Sequence, residues 1–241
     1  MNNPYLLLWL EAPLQSWGHD SKFGRRDTLN FPTKSGILGL ICSALGAGGE
    51  QTELLADFAP LKQTVISFVR AEKTVSDTLI KREREPLLRD FHMVGSGYDD
   101  KDPWASLLIP KTSEGKKPNG SGAKMTYRYY LQDAAFAVLL EVPEARADTM
   151  IEALKNPTWD VYLGRKNCVP TDFIYREQFI NENEGIEAAL EIAKQKNLLE
   201  DFRVLSGEHE GELLTLMDVP IQFGEYKLYR DRQVTVIPAT Q

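Results

Sequence analysis

A short block, Phe31-Pro32-Thr33-Lys34-Ser35-Gly36-Ile37-Leu38-Gly39-Leu40, constrains the fold more than any other stretch of the chain. Pro32 has no amide hydrogen to donate and favours extended backbone before it. Thr33 or Ser35 can then cap a helix by accepting a bond from a free amide near its start. Ile37, Leu38, Ile41, Ala44 and Leu45 fall on one face of that helix, and Gly46 with Gly48-Gly49 ends it. Gly36, Gly39, Ser43 and Gly46 form a second face that another backbone can approach closely. One outcome is an amphipathic helix packed on a sheet with Lys34 solvated. The other uses the free amides and Lys34 to hold a phosphate, although the glycine spacing of a Walker A loop is missing.

The flanking pattern alternates strand and helix. Residues 5–10 predict a buried strand, 64–72 a second, and 126–142 one or two more rich in aromatic and β-branched residues. A helix over 145–155 follows, with Ala147, Met150, Ile151 and Leu154 on one face and Pro157 as its stop. Strand, helix, strand, repeated, is the ferredoxin-like (RRM-like) order of an α+β protein, with the closing strand expected near 159–169. Residues from about 75 to 124, with two Gly-Ser-Gly turns, Pro103, Pro110 and Pro118, and many charges, interrupt that order as a long insertion. The expected organisation is one domain over 1–158, then the closing strand, a glycine loop and a smaller, mainly β unit over 159–241. In the latter, 187–199 predict a helix, and 213–217, 226–230 and 233–236 predict strands.

Charge is uneven. The chain of 241 residues carries a formal net charge of −7, which at first argues against a nucleic-acid partner. Residues 177–218 alone hold 11 acidic and 3 basic residues, so the remainder is close to neutral at +1. Within that remainder, 111–128 hold five basic residues and one acidic. A local positive patch can bind phosphate while an acidic lobe faces elsewhere. No apolar run approaches a membrane span, and no secretory pattern opens the sequence. Cys42 and Cys168 form no metal-ligand or redox motif. The expectation is a soluble cytoplasmic protein with no membrane partner.

Five segments in one order carry a more specific signal. They are Leu14-Gln15-Ser16-Trp17-Gly18, the block from Phe31, Leu88-Arg89-Asp90-Phe91-His92, the aromatic run from Met125 to Ala134, and Tyr162-Leu163-Gly164-Arg165-Lys166-Asn167-Cys168-Val169-Pro170. Together they resemble the CasD family of type I-E CRISPR Cascade subunits, within the RAMP superfamily, over about residues 5–171. The resemblance implies a non-catalytic RNA-binding subunit that caps the 5′ handle of the crRNA and needs no cofactor. It implies contact with the adjacent backbone subunit and the large subunit, and with target DNA only indirectly. The 75–124 insertion would carry a β-hairpin thumb that separates the handle from the first guide bases.

Single-stranded RNA needs cations for phosphates, flat side chains for bases, and donors or acceptors for base edges and 2′-hydroxyls. Candidate contacts are Gln15, Ser16, Trp17, Arg25, Arg26, Thr33, Lys34 and Ser35 in the N-terminal part. Further along come Arg89, His92, Lys124, Tyr127, Arg128 and Tyr129, then Gly164, Arg165, Lys166 and Asn167. Strand alternation sets Tyr127 and Tyr129 on one face, Arg128 and Tyr130 on the other. Arg165 has the guanidinium geometry that suits phosphate oxygens. Trp17 either stacks on a base or pins its loop to the core.

The alternative is a metal-independent endoribonuclease, with His92 as general base toward a 2′-hydroxyl. Relatives in type I-C systems that cut precursor RNA use a Tyr with an adjacent Lys-His pair, and neither His19, His92 nor His209 follows a lysine. The carboxylates are scattered, without metal-ligand spacing.

Overall fold

The computed structural model describes residues 3–18, 21, 24–74, 79–94, 114 and 124–239. Among them run β1 (Tyr5–Gln15), β2 (Arg25–Arg26), α1 (Lys34–Leu45), α2 (Thr52–Phe58), β3 (Gln63–Lys73), β4 (Leu79–Lys81) and β5 (Leu88–Val94). They are followed by β6 (Lys124–Glu141), α3 (Glu144–Lys155), β7 (Tyr175–Phe179), α4 (Glu182–Gln195), β8 (Leu198–Ser206), β9 (Glu212–Gln222) and β10 (Leu228–Pro238). The main sheet has the order β7-β1-β6-β3-β8-β10-β9, every neighbouring pair antiparallel. Three short strands attach outside that path: β4 on β3, and β2 and β5 on β6.

The apolar run of β1 explains its central position. Leu6, Leu8 and Leu10 point into one core, Leu7 and Trp9 into another, and all five are fully buried. A strand covered on both faces reads as a continuous hydrophobic run. The larger core gathers Ile37, Leu38 and Ile41 of α1, Leu55 of α2 and Met150 of α3. The smaller one packs Ala189 and Ala193 of α4 against Ile66, Phe68 and Leu139. Each fully buried leucine contributes about 1.5–3 kcal/mol relative to exposure, so β1 and β6 form the rigid centre of the molecule.

α1 forms as its sequence predicts. Thr33 is extended and its hydroxyl accepts from the Gly36 amide at 3.1 Å, while Gly46 at φ +67° closes the helix. α2 has no such local signature: the side chain at its cap position, Gln51, makes no capping bond to the helix, which is fixed by burying Leu54, Leu55 and Phe58.

Two expectations need correction. No strand forms at 159–169, where a closing strand is expected; the next strand is β7, which pairs with β1 from Tyr5↔Phe179 to Leu8↔Tyr175. Residues 159–169 instead form a loop that bonds to itself, Leu163 N–H to Cys168 C=O and Cys168 N–H to Arg165 C=O, each at 2.8 Å. Leu163 and Cys168 anchor it as buried plugs. The C-terminal strands, expected as a separate unit, continue the same sheet through β8 on β3. Val204, Leu216 and Val234 share the larger core with α1.

β6 spans both parts of the molecule. Its inner half lies between β1 and β3, while its outer half forms a ladder with β5 from Leu88↔Tyr130 to Val94↔Lys124. Asp133, at φ +46°, lies where the two halves meet. The basic stretch at 111–123, apart from Glu114, lies outside the described residues, as does His19. No helix among the described residues is long and apolar enough to cross a membrane.

Candidate functional site

Five of the sequence-selected residues meet at one open cleft of about 360 Å³. Ser16 and Trp17 come from the end of β1, Thr33 and Ser35 from the start of α1, and Gly164 from the loop before β7. Gly18 and Gly36 lie beside them, and Phe223, Lys227 and Tyr229, from the turn between β9 and β10 and the start of β10, complete the lining. Nothing local marked those three, since 226–230 carried only a strand signal.

Two close approaches build the cleft. Gly164 has φ +100°, and a Cβ there would collide with the Ser16 carbonyl, so only glycine fits. The Ser16 amide donates to the Leu163 carbonyl at 3.1 Å and fixes the same contact. At Gly36 a Cβ would stand 2.8 Å from the Trp17 ring, so the indole lies directly on the first turn of α1.

The side chains of several candidates turn inward. Gln15 is fully buried and its amide nitrogen donates to Leu10 C=O at 3.1 Å and Ala134 C=O at 2.6 Å. Trp17 is 1% exposed and its indole N–H donates to Gln15 Oε1 at 3.1 Å, so it pins the loop and has no free face for a base. Thr33 is spent on the helix cap. Lys34 is the largest correction. Only 2% exposed, its ammonium donates to the carbonyls of Ala59 (3.2 Å) and Leu61 (2.6 Å), away from the cleft. The helix start already holds an anion, because the Lys34 amide donates to Asp218 Oδ2 at 2.7 Å. Asp218 is in turn gripped by Arg232 through bonds of 2.7 and 2.9 Å.

Lys34 is lowered from its ordinary 10.5 to about 8, chiefly by burial and next by the nearby Arg232 charge, with Asp218 opposing both. The sign of the consequence follows from proton counting. Between pH 8 and 10.5 the unfolded chain holds a proton that the folded chain has released. Stability from this group therefore rises with pH in that window, by up to about 1.4 kcal/mol per pH unit. The Cys42 thiol, pushed up to about 11 by burial, acts oppositely above its ordinary 9. Comparing wild type with Lys34→Met cancels the cysteine contribution. The difference in urea stability should shift in favour of wild type from pH 8 upward, and a flat difference contradicts it.

The remaining candidates form an exposed ribbon beside the cleft. β2, β5 and the outer half of β6 put Arg25, Arg89, Phe91, Tyr127 and Tyr129 on one face. The Arg25 guanidinium lies 4.9 Å from the Tyr129 ring centre, Arg89 lies 5.6 Å from that of Tyr127, and Phe91 packs on Tyr127 at 5.4 Å. Arg25 also holds both Asp27 carboxylate oxygens at 2.8 Å. On the other face Tyr130 is buried, Arg128 half-buried, and His92 meets the Asp90 carboxylate. The alternation expected for the tyrosines therefore holds. His92 is not among the residues lining the cleft.

Arg165 joins ribbon and cleft. Its guanidinium donates to Tyr129 C=O at 3.1 Å and Arg26 C=O at 2.8 Å, and covers the Tyr130 ring at 4.7 Å. Expected as a phosphate contact, it is committed to holding the loop on the strands. Ser16 donates to the same Tyr129 carbonyl at 3.3 Å. Lys166, Asn167 and Arg26 remain exposed around this junction, and Lys124 opens β6 at the ribbon's far end.

These features define a mixed α/β protein with a large antiparallel sheet, whose exposed chemistry is cation on ring next to a hydroxyl-lined cleft. The chain belongs to the CRISPR-associated protein (Cas_Cas5) family, whose model matches residues 5–235. It is 34% identical over 170 residues to the CRISPR system Cascade subunit CasD of Escherichia coli (strain K12). That match takes in 68% of this chain and 66% of the relative's own length. A chain of a CRISPR RNA-guided surveillance complex superposes with a TM-score of 0.69 at 27% identity, covering 97% of this chain and 89% of that one. A structure described as a crystal structure of Cas protein gives 0.57 at 28% identity, covering 98% and 94%. The family resemblance carried by the five segments is borne out.

Proposed function

We propose that the chain is a non-catalytic RNA-binding subunit of a CRISPR surveillance complex, capping the 5′ handle of the crRNA. The observation that carries this reading is the ribbon, where Arg25 on Tyr129 and Arg89 on Tyr127 offer charge and flat surface in one strip. Unstacked bases and their phosphates need that pairing. In this reading β1, β3, β6 and β7 are the four strands of a ferredoxin-like RAMP domain. β5 and the outer half of β6 are the root of a thumb that separates the handle from the first guide bases. Handle contacts run from Arg25, Arg26, Arg89, Tyr127 and Tyr129 across to Lys166 and Asn167. The adjacent backbone subunit and the large subunit are the protein partners, and target DNA is reached through them.

The test is titration of the full chain with labelled single-stranded repeat RNA over a range of salt. Replacing Arg89 with Gln and Tyr127 with Ala together should weaken binding at least about tenfold, because stacking alone is worth about 1–3 kcal/mol per base. It should also flatten the salt dependence, by about 0.7 in log–log slope for each lost phosphate contact. The same RNA incubated without metal should remain intact. A cyclic-phosphate product abolished by His92→Ala would replace this reading with the nuclease, in which Asp90 orients the imidazole.

A further inference from the structure

With Lys34 and Arg232 turned into the protein, the cleft keeps one cation among its described lining residues, and it comes from the far end of the chain. Lys227 is exposed and makes no ion pair within the described protein. Tyr229 stands two residues on, in β10, half-buried and lining the same cleft, with burial raising its phenol so that it stays a neutral donor. Phe223 supplies a second ring. The turn bearing them is braced: the Phe223 amide donates to Glu50 C=O at 2.9 Å, and Gln222 donates to Tyr226 C=O at 2.9 Å. Gly224 packs against Gly49 in the loop after α1. Rings, cation and the half-buried Ser35 thus line one cleft of about 360 Å³, the small end of the range for ligand clefts.

We infer that the β9–β10 turn closes this cleft over a single nucleotide of single-stranded RNA. Lys227 takes its phosphate, Tyr229 and Phe223 take its base, and the Ser35 hydroxyl takes its sugar or base edge. The inference rests on the proposed RNA-binding role and deepens it. The end of β1, the start of α1 and the Gly164 loop supply the walls of the cleft, and the C-terminal turn, beyond the five segments that carried the resemblance, supplies its charge and stacking surface.

The experiment again uses the full chain and labelled single-stranded repeat RNA. Lys227→Gln should reduce the salt slope by about 0.7, the share of one phosphate contact. Tyr229→Ala should weaken binding about tenfold, whereas Tyr229→Phe keeps the ring and should stay within about twofold. Because Lys227 is exposed, its replacement should leave the thermal melt unchanged. RNA carrying 4-thiouridine should cross-link to the peptide containing Tyr229. If Lys227→Gln and Tyr229→Ala bind like wild type while the Arg89 and Tyr127 replacements still weaken binding, the cleft assignment is wrong and the ribbon reading stands. If the wild-type chain binds no RNA, both fall.

Discussion

Asp218→Ala is expected to destabilise the fold by about 3–5 kcal/mol, the cost of breaking a buried ion pair from one side. The carboxylate is 3% exposed at its side chain and its partner Arg232 13%, so water cannot replace either group. It serves two structures at once, closing the first amide of α1 and neutralising a guanidinium. Without it, the Arg232 charge acts on the buried Lys34 ammonium with no Asp218 carboxylate to oppose it. Lys34→Met should therefore cost less in the Asp218→Ala background than in wild type, a coupling that a double-mutant cycle reads directly. Urea unfolding of the four proteins supplies the numbers. A loss below about 1 kcal/mol for Asp218→Ala would mean that the start of α1 is held by something else.

Gly164→Ala should be almost as damaging, for a different reason. A backbone at φ +100° costs a side-chain-bearing residue about 1–3 kcal/mol, and the added methyl also meets the Ser16 carbonyl head-on. The loop cannot slide away, because Leu163 is bonded to Ser16 and Cys168, and Arg165 to Tyr129 and Arg26. A total of about 3 kcal/mol or more is expected, with the cleft distorted in whatever fraction still folds. Denaturant unfolding measures the first, RNA titration of the folded fraction the second. Unchanged stability would show that the loop has freedom the hydrogen bonds do not suggest.

The contrast between these two positions explains what could be read along the chain. α1 was legible because cap, periodicity and stop all lie within a few neighbouring residues. β1 was legible as a dense apolar run, β3 by its alternation, and β6 by its aromatic and β-branched content. The partner of α1 was not legible: Asp218 lies 184 residues from Lys34, and no local pattern encodes a contact of that range. Lys34 looked like a phosphate ligand since lysines are seldom buried, and its acceptors, Ala59 and Leu61, carry no side-chain signal. A closing strand was expected at 159–169 because Trp159, Val161, Leu163 and Val169 mimic a strand's apolar content. The next strand that forms, Tyr-Arg-Glu-Gln-Phe, sits at a sheet edge and keeps few apolar residues. Of the cleft, the N-terminal wall was legible and the C-terminal turn was not.

β6 works as a cantilever. Its root is clamped between β1 and β3, and its free half projects past Asp133 carrying Tyr127 and Tyr129. Anything that tugs on those rings pulls on a backbone locked at Leu139 and Leu140. The projecting half is thus already ordered in the folded chain, by its own ladder with β5 and by the clamped root. The entropic cost of ordering it is met on folding, leaving more of the contact energy for whatever later docks along it.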